Sequence, residues 1–102
     1  VLTAHQHDYE RTLPVYQSQV IGNYTTTTTT FNNPKAPIYS VIGTGGNHEG
    51  LQGNFVNPPP VWSAPQTRLK LWGYTTIEVT GQSLTWNFIN AENHLPADSF
   101  TI

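Results

Sequence analysis

The stretch "GYTTIEVTGQSLTWNFIN", Gly73 to Asn90, gives the clearest structural reading in the chain. Tyr74, Thr76 and Glu78 alternate with Thr75, Ile77 and Val79, and successive side chains of an extended chain face opposite sides. A turn follows at Gly81-Gln82, after which Leu84, Trp86 and Phe88 fall on one face. Two runs of period two joined by turn residues predict a β-hairpin. No segment places apolar residues at helical spacing between caps, so the chain is expected to be mainly β.

Toward the N-terminus the signals are shorter. Ile38 to Ile42 reads as a strand that runs into a glycine-rich loop, "GTGGNHEG", Gly43 to Gly50. "LPVYQSQVIGNY" carries strand-forming β-branched and aromatic residues between Pro14 and Gly22. Residues 23–37, with the threonine run Thr25 to Thr30, are expected to form an exposed loop. Within it Asn23-Tyr24-Thr25 is an N-glycosylation sequon, which makes Asn23 a candidate acceptor in a secreted chain. Pro58, Pro59 and Pro60 remove three donors and fix φ, so "VNPPPVWSAP" predicts a stiff surface connection anchored by Trp62. Val1 to Ala4 has the character of the last residues of a buried strand, and the segment is expected to be part of a larger domain.

Size and charge narrow the function. With 102 residues there is room for one small core, and twelve aromatic residues argue for a folded chain. The net charge is −2, and the four cations, Arg11, Lys35, Arg68 and Lys70, form no stripe that could neutralise a phosphate backbone. Nucleic acid is therefore not an expected partner. Cysteine is absent, which excludes internal disulfides and thiolate metal sites. No apolar run reaches the length of a membrane span.

The chemistry is concentrated in "TAHQHDYERT", Thr3 to Thr12. Two of four histidines, His5 and His7, stand one residue apart. In an extended segment they would project to the same side, about 7 Å apart along the strand. Neutral imidazoles so placed can converge on cations about 3.5–4 Å apart, as in dinuclear hydrolytic sites. Asp8 and Glu10 could orient the rings or point away from them. A bare H-x-H triplet also arises by accident in many proteins.

"AHQHDYERTLPVY" resembles the G-H-x-H-x-Y-E-R-x-x-P-V-Y segment of the purple acid phosphatases, which are calcineurin-like metallophosphoesterases. "APIYSVIGTGGNHEGLQGNF" is similar to their P-x-Y-x-x-x-G-x-G-G-N-x-E-G loop, and "PPPVWSA" to the P-x-P-x-W-S-A stretch that follows it. "GYTTIEV" resembles the next strand, and "WNFINAENHLPADSFTI" the closing W-x-F-x…D-S-F-x-I. These blocks keep their order across nearly the whole chain.

The resemblance implies the C-terminal part of a four-layer αββα sandwich. It implies a dinuclear centre of Fe(III) with Zn, Mn or Fe that hydrolyses phosphate monoesters. His5 falls on the ligand of the divalent ion and His7 on the ligand of the ferric ion, while Tyr9, Glu10 and Arg11 would shape the rim of the site. The family's remaining ligands, an Asp, an Asp with a nearby Tyr, the Asn of an early G-N-H-E and a lone His, precede H-x-H. They are expected upstream of Val1, in the remainder of the phosphatase domain, and the isolated chain is expected to be inactive.

Asn47 and His48 copy the family's G-N-H-E, but they follow H-x-H instead of preceding it. They are read as a loop-packing Asn and a solvent-facing His. The resemblance also implies a secreted, extracellular or vacuolar-lysosomal protein. The alternative reading is a non-catalytic secreted structural or binding glycoprotein module that kept the phosphatase fold.

Overall fold

The computed structural model describes every residue from Val1 to Ile102. Eight strands form in chain order: β1 (Leu2–Thr3), β2 (Tyr9–Arg11), β3 (Val15–Tyr16), β4 (Gln19–Val20), β5 (Ser40–Ile42), β6 (Gly73–Val79), β7 (Leu84–Asn90) and β8 (Pro96–Thr101). The single helical element is a 3₁₀ turn at Pro65–Thr67, which agrees with the mainly β expectation.

The expected hairpin is β6 and β7, antiparallel from Gly73↔Asn90 to Val79↔Leu84. Gly73 must lack a side chain, because a Cβ there would lie 2.5 Å from the Ile89 carbonyl oxygen and from the Phe88 ring. Beyond the expectation, Pro96–Thr101 adds a third strand, β8, on the far edge of β7, so that Trp86 faces Phe100 and Asn87 faces Ser99. Ser99 Oγ donates to Asn87 Oδ1 at 2.7 Å.

A second, smaller sheet has the order β1-β5-β2, with β1 parallel and β2 antiparallel to β5. The free edge of β2 is covered by the chain that follows the prolines. Tyr9 exchanges backbone hydrogen bonds with Leu69, and the Ala64 N–H donates to the Arg11 carbonyl. The strand-forming residues between Pro14 and Gly22 fold back as the β3–β4 hairpin. Gln17 and Ser18 take φ of 47° and 62°, the left-handed pair that a two-residue turn requires. Neither residue type advertises that conformation. The 23–37 loop is exposed along most of its threonines, but Phe31 is wholly buried. Its backbone is fastened to the edge of β8 through Phe31 N–H to the Thr101 carbonyl.

The core is a single cluster of Tyr9, Leu13, Phe31, Ile38, Trp86, Phe88 and Phe100. β2 alternates buried, half-buried, buried, so Tyr9 and Arg11 enter this core while Glu10 faces away. The Tyr9 ring stacks on Phe88 with centroids 3.9 Å apart, and Trp86 stacks on Phe100 at 5.6 Å. At the centre of the core Arg11 meets Asp98 of β8. Nε donates to Oδ2 at 2.7 Å and Nη2 to Oδ1 at 3.2 Å. The Tyr9 hydroxyl donates to the same Oδ2 at 2.8 Å and accepts from Trp86 Nε1 at 3.1 Å. The guanidinium carbon lies 5.1 Å from the Phe100 centroid and 5.9 Å from that of Phe31, and Nη1 is buried without a partner.

The Arg11 side chain is 0% exposed and that of Asp98 7%. Asp98→Asn would strand a buried guanidinium without its counter-charge, at an expected cost of about 3–5 kcal/mol in urea unfolding. A loss below about 1 kcal/mol would show that the pair does not hold the fold.

Burial first, and then the Asp98 carboxylate, push the Tyr9 phenol well above its ordinary value of 10.0. The folded state thus binds this proton more tightly than the unfolded chain. The associated stability is complete below pH 10 and is lost as the pH rises beyond it. Tyr9→Phe should remove that alkaline loss, seen as a smaller fall in unfolding midpoint between neutral pH and about pH 11. At neutral pH it should cost about 1–3 kcal/mol, because Trp86 Nε1 loses its acceptor.

Candidate metal centre

H-x-H lies between β1 and β2, where the chain leaves the small sheet and must return antiparallel to β5. It is not strand. Residues 5–8 form bends, and His5 holds φ at 85°, a region that side-chain-bearing residues rarely occupy. Strand alternation therefore does not place the two rings on one face, and this corrects the geometric premise. The backbone reversal at His5 and the neighbouring glycine loop set their positions instead. His5 is exposed and His7 half-buried.

The glycine-rich loop packs directly on this segment. A Cβ on Gly43 would fall 1.7 Å from the Gln6 carbonyl oxygen, so only glycine admits the approach. Gly43 N–H donates to the Asp8 carbonyl at 3.1 Å. Further along the loop, the Gln52 N–H donates to the His7 carbonyl at 2.9 Å, and the His7 N–H donates to Gln52 Oε1 at 2.9 Å. His7 Nδ1 stands 3.2 Å from the Gly50 carbonyl oxygen and 3.8 Å from Glu49 Oε2.

Asp8 does not orient an imidazole. Its side chain is buried, engages the Gly53 backbone and Gln6, and is pushed up from the ordinary carboxylate range chiefly by burial. Glu10 accepts from Ser63 Oγ at 2.6 Å and lies 3.2 Å from Arg68 Nε. Arg68 in turn covers the Phe55 ring at 4.8 Å. Tyr9 and Arg11, expected at the rim, are fully buried in the core. Period-two alternation explains the difference: Asp98 and Phe88 fill the side of β2 toward which residues 9 and 11 point. Of the expected rim residues only Glu10 keeps partial exposure, and its partners are Ser63 and Arg68.

The residues that hold His7 come from the loop, and sequence reasoning did not assign them. Glycine content marked the segment as a loop, but nothing about a lone Gln52 signals that it grips a histidine 45 positions away. Asn47 Oδ1 accepts the Glu49 N–H at 2.8 Å, a local turn, and His48 is exposed. His94 sits in an exposed turn with φ of 59°. Asn23 is exposed next to Tyr24, whose ring packs edge-on against Phe31 at 5.2 Å.

The donor chemistry fits part of a metal centre. A carbonyl oxygen can only accept, so an Nδ1–H facing Gly50 leaves the lone pair of Nε2 free for a cation. His5 and His7 would supply two imidazole donors to such a centre, and the chain nowhere gathers three or more His, Cys, Asp or Glu side chains able to hold an ion.

Residues 36–99 match the family described as iron/zinc purple acid phosphatase-like protein C, and H-x-H lies outside the matched span. The chain is 37% identical over 76 residues to acid phosphatase type 7 of Mus musculus, covering 74% of this chain and 16% of that protein. It is 33% identical over 103 residues to the Fe(3+)-Zn(2+) purple acid phosphatase 12 of Arabidopsis thaliana, covering 97% of this chain and 21% of the relative. The purple acid phosphatase PPD1 from yellow lupin (Lupinus luteus) seeds superposes with a TM-score of 0.84 at 25% identity, over 99% of this chain and 17% of its own. The chain thus spans about a fifth or less of the length of these proteins. With the family match extending over more than half of the sequence and the same strand architecture in the lupin structure, the chain belongs to the purple acid phosphatases, to their C-terminal domain.

Proposed function

We propose that this chain is the segment of a phosphate-monoester hydrolase that contributes His5 and His7 to a dinuclear Fe(III)–Zn, Fe(III)–Mn or diiron centre. The single observation that carries the reading is the contact of His7 Nδ1 with the Gly50 carbonyl, which keeps one ring nitrogen occupied and the other available. The Fe(3+)-Zn(2+) pair in the name of the Arabidopsis relative supports the iron–zinc choice. When bound, such a pair supplies Lewis acidity toward a phosphoryl group and a nucleophile at moderate pH.

The chain's own residues prepare that site. Gly43 lets the loop lie against Gln6, Gln52 fixes the His7 backbone, and β2 anchors the segment to the core through Tyr9 and Arg11. Two imidazoles carry no negative charge, so they offset little of the charge on two multivalent cations, and this chain alone is inactive. Its partner is the remainder of a phosphatase domain. An apolar cleft supports this: Val1, Leu2, Ile77 and Ile102 stay exposed around a floor of Trp86 and Phe100. No helix of the structure is long and apolar enough to cross a membrane. We place the protein outside the cell or in a vacuolar-lysosomal compartment, with a glycan on Asn23.

The purified 102-residue chain, supplied with Fe(III) and Zn(II), should not hydrolyse p-nitrophenyl phosphate above the buffer rate. Clear metal-dependent turnover would overturn the donor-count argument. In the active phosphatase that contains this segment, His7→Ala should lower kcat/KM by about a hundredfold or more, a loss of roughly 3 kcal/mol of transition-state stabilisation. Unchanged kcat/KM would remove His7 from the centre. Expression in a secreting eukaryotic host should give a protein whose mass falls on enzymatic removal of N-glycans, and Asn23→Gln should abolish that fall.

A further inference from the structure

The glycine-rich loop does more than leave room for the H-x-H segment. Every polar contact that His7 makes through its backbone N–H, its carbonyl and its ring Nδ1 ends on residues 49–52. Gln52 grips the main chain from both sides. Its side-chain oxygen accepts the His7 N–H and its own N–H donates to the His7 carbonyl, both at 2.9 Å. That double grip fixes where the His7 Cα sits and which way its side chain leaves the backbone. The ring is then oriented by a separate contact, Nδ1 to the Gly50 carbonyl at 3.2 Å. Gly50 holds φ at 81°, a left-handed conformation that helps to set the direction of the peptide it belongs to.

We propose that Glu49–Gln52 is the positioning element of His7: Gln52 clamps its main chain, and the Gly50 carbonyl holds the ring as the Nδ1–H tautomer, so that Nε2 is the nitrogen offered to a cation. The carbonyl is the reason the tautomer is fixed, since it has no proton to give and the nitrogen facing it must carry one. Glu49 contributes little to this. Its carboxylate is farther away, at 3.8 Å, and 64% exposed, so solvent screens it. These are positioning residues, and none of them touches a substrate. The part of the inference that concerns cations rests on the reading of His7 as a ligand; the tautomer does not.

Long-range ¹H–¹⁵N NMR of the metal-free chain, at a pH where its imidazoles are neutral, reads which ring nitrogen carries the proton. The His7 ring should be predominantly Nδ1–H, whereas exposed His48 should not share that bias. A predominantly Nε2–H ring at His7 would overturn the proposal. Gln52→Ala should shift the His7 ring toward an ordinary tautomer mixture, and Gln52→Glu, which keeps an acceptor at the same reach, should restore the bias. Glu49→Gln should leave it unchanged; loss of the bias in that variant would assign the role to the carboxylate and overturn the assignment to the carbonyl.

Zn(II) titration of the same proteins supplies the second readout. Gln52→Ala should weaken the His7-dependent binding by about tenfold to a hundredfold, as outer-shell substitutions do. Unchanged affinity beside a changed tautomer would overturn the cation part. If His7→Ala itself leaves Zn(II) affinity unaltered, the ligand reading of His7 fails while the tautomer result still decides the positioning claim. A backbone amide spectrum confirms that each variant is folded, and the Glu variant provides the comparison should the Ala variant unfold.

Discussion

A carboxylate on the last strand, Asp98, receives a guanidinium and a phenol from the strand that follows H-x-H, and most of the molecule is arranged around that meeting. Arg11 and Tyr9 are two residues apart on β2 and therefore share a face, so one carboxylate can serve both. Trp86 on β7 completes the chain of donors by giving its indole N–H to the Tyr9 oxygen. Four residues from three strands are thus tied in one network, and each ring also contributes stacking to the core. Desolvating such a pair is costly, and apolar residues of similar volume could match its stability. Apolar replacements would, however, leave the relative placement of β2 and β8 to packing alone. The directed bonds specify it.

That placement reaches the candidate metal segment through very little chain. Asp8 separates Tyr9 from His7, so anchoring β2 at residues 9 and 11 fixes the end of the segment that carries the imidazoles. The other face of β2 is held independently, where Glu10 takes the Ser63 hydroxyl and lies against Arg68. Polar groups therefore grip the strand from both sides, while the loop of residues 43–53 grips the bend before it. The polar contacts of β2 and the glycine loop thus surround the candidate metal segment, while the threonine loop and the proline connection lie exposed at the periphery.

The β6–β7 hairpin was legible because its register follows from local alternation and a turn of a few residues. Strand β5, within the Ile38 to Ile42 run, and the loop after it were legible from the apolar run and the glycine content, which are equally local. The β3–β4 turn was not, since Gln17 and Ser18 carry no turn signature and adopt positive φ only because the flanking strands pair. Strand β8 was missed because "PADSFT" begins with Pro and is short of β-branched residues, and its extended form depends on β7 beside it. At the site, His5 and His7 were legible as residue types at a suggestive spacing, but the strand geometry invoked for them was wrong. A single left-handed residue, His5, is enough to break the alternation on which that argument rested.

Residue order alone settled that the chain is mainly β, that its four cations form no stripe and that it contains no cysteine for thiolate ligation, and which family its ordered blocks resemble. These properties are local or additive, and periodicity, composition and motif order express them without reference to distant contacts. Tertiary structure decided the rest: that Tyr9 and Arg11 turn inward to Asp98, that Glu10 turns outward to Ser63, and that the loop near Gly50 and Gln52 closes on His7. Each of these joins residues more than forty positions apart, and a hydrogen bond acts only over a separation near 3 Å. Nothing in the local run of side chains can state which distant group will arrive within it.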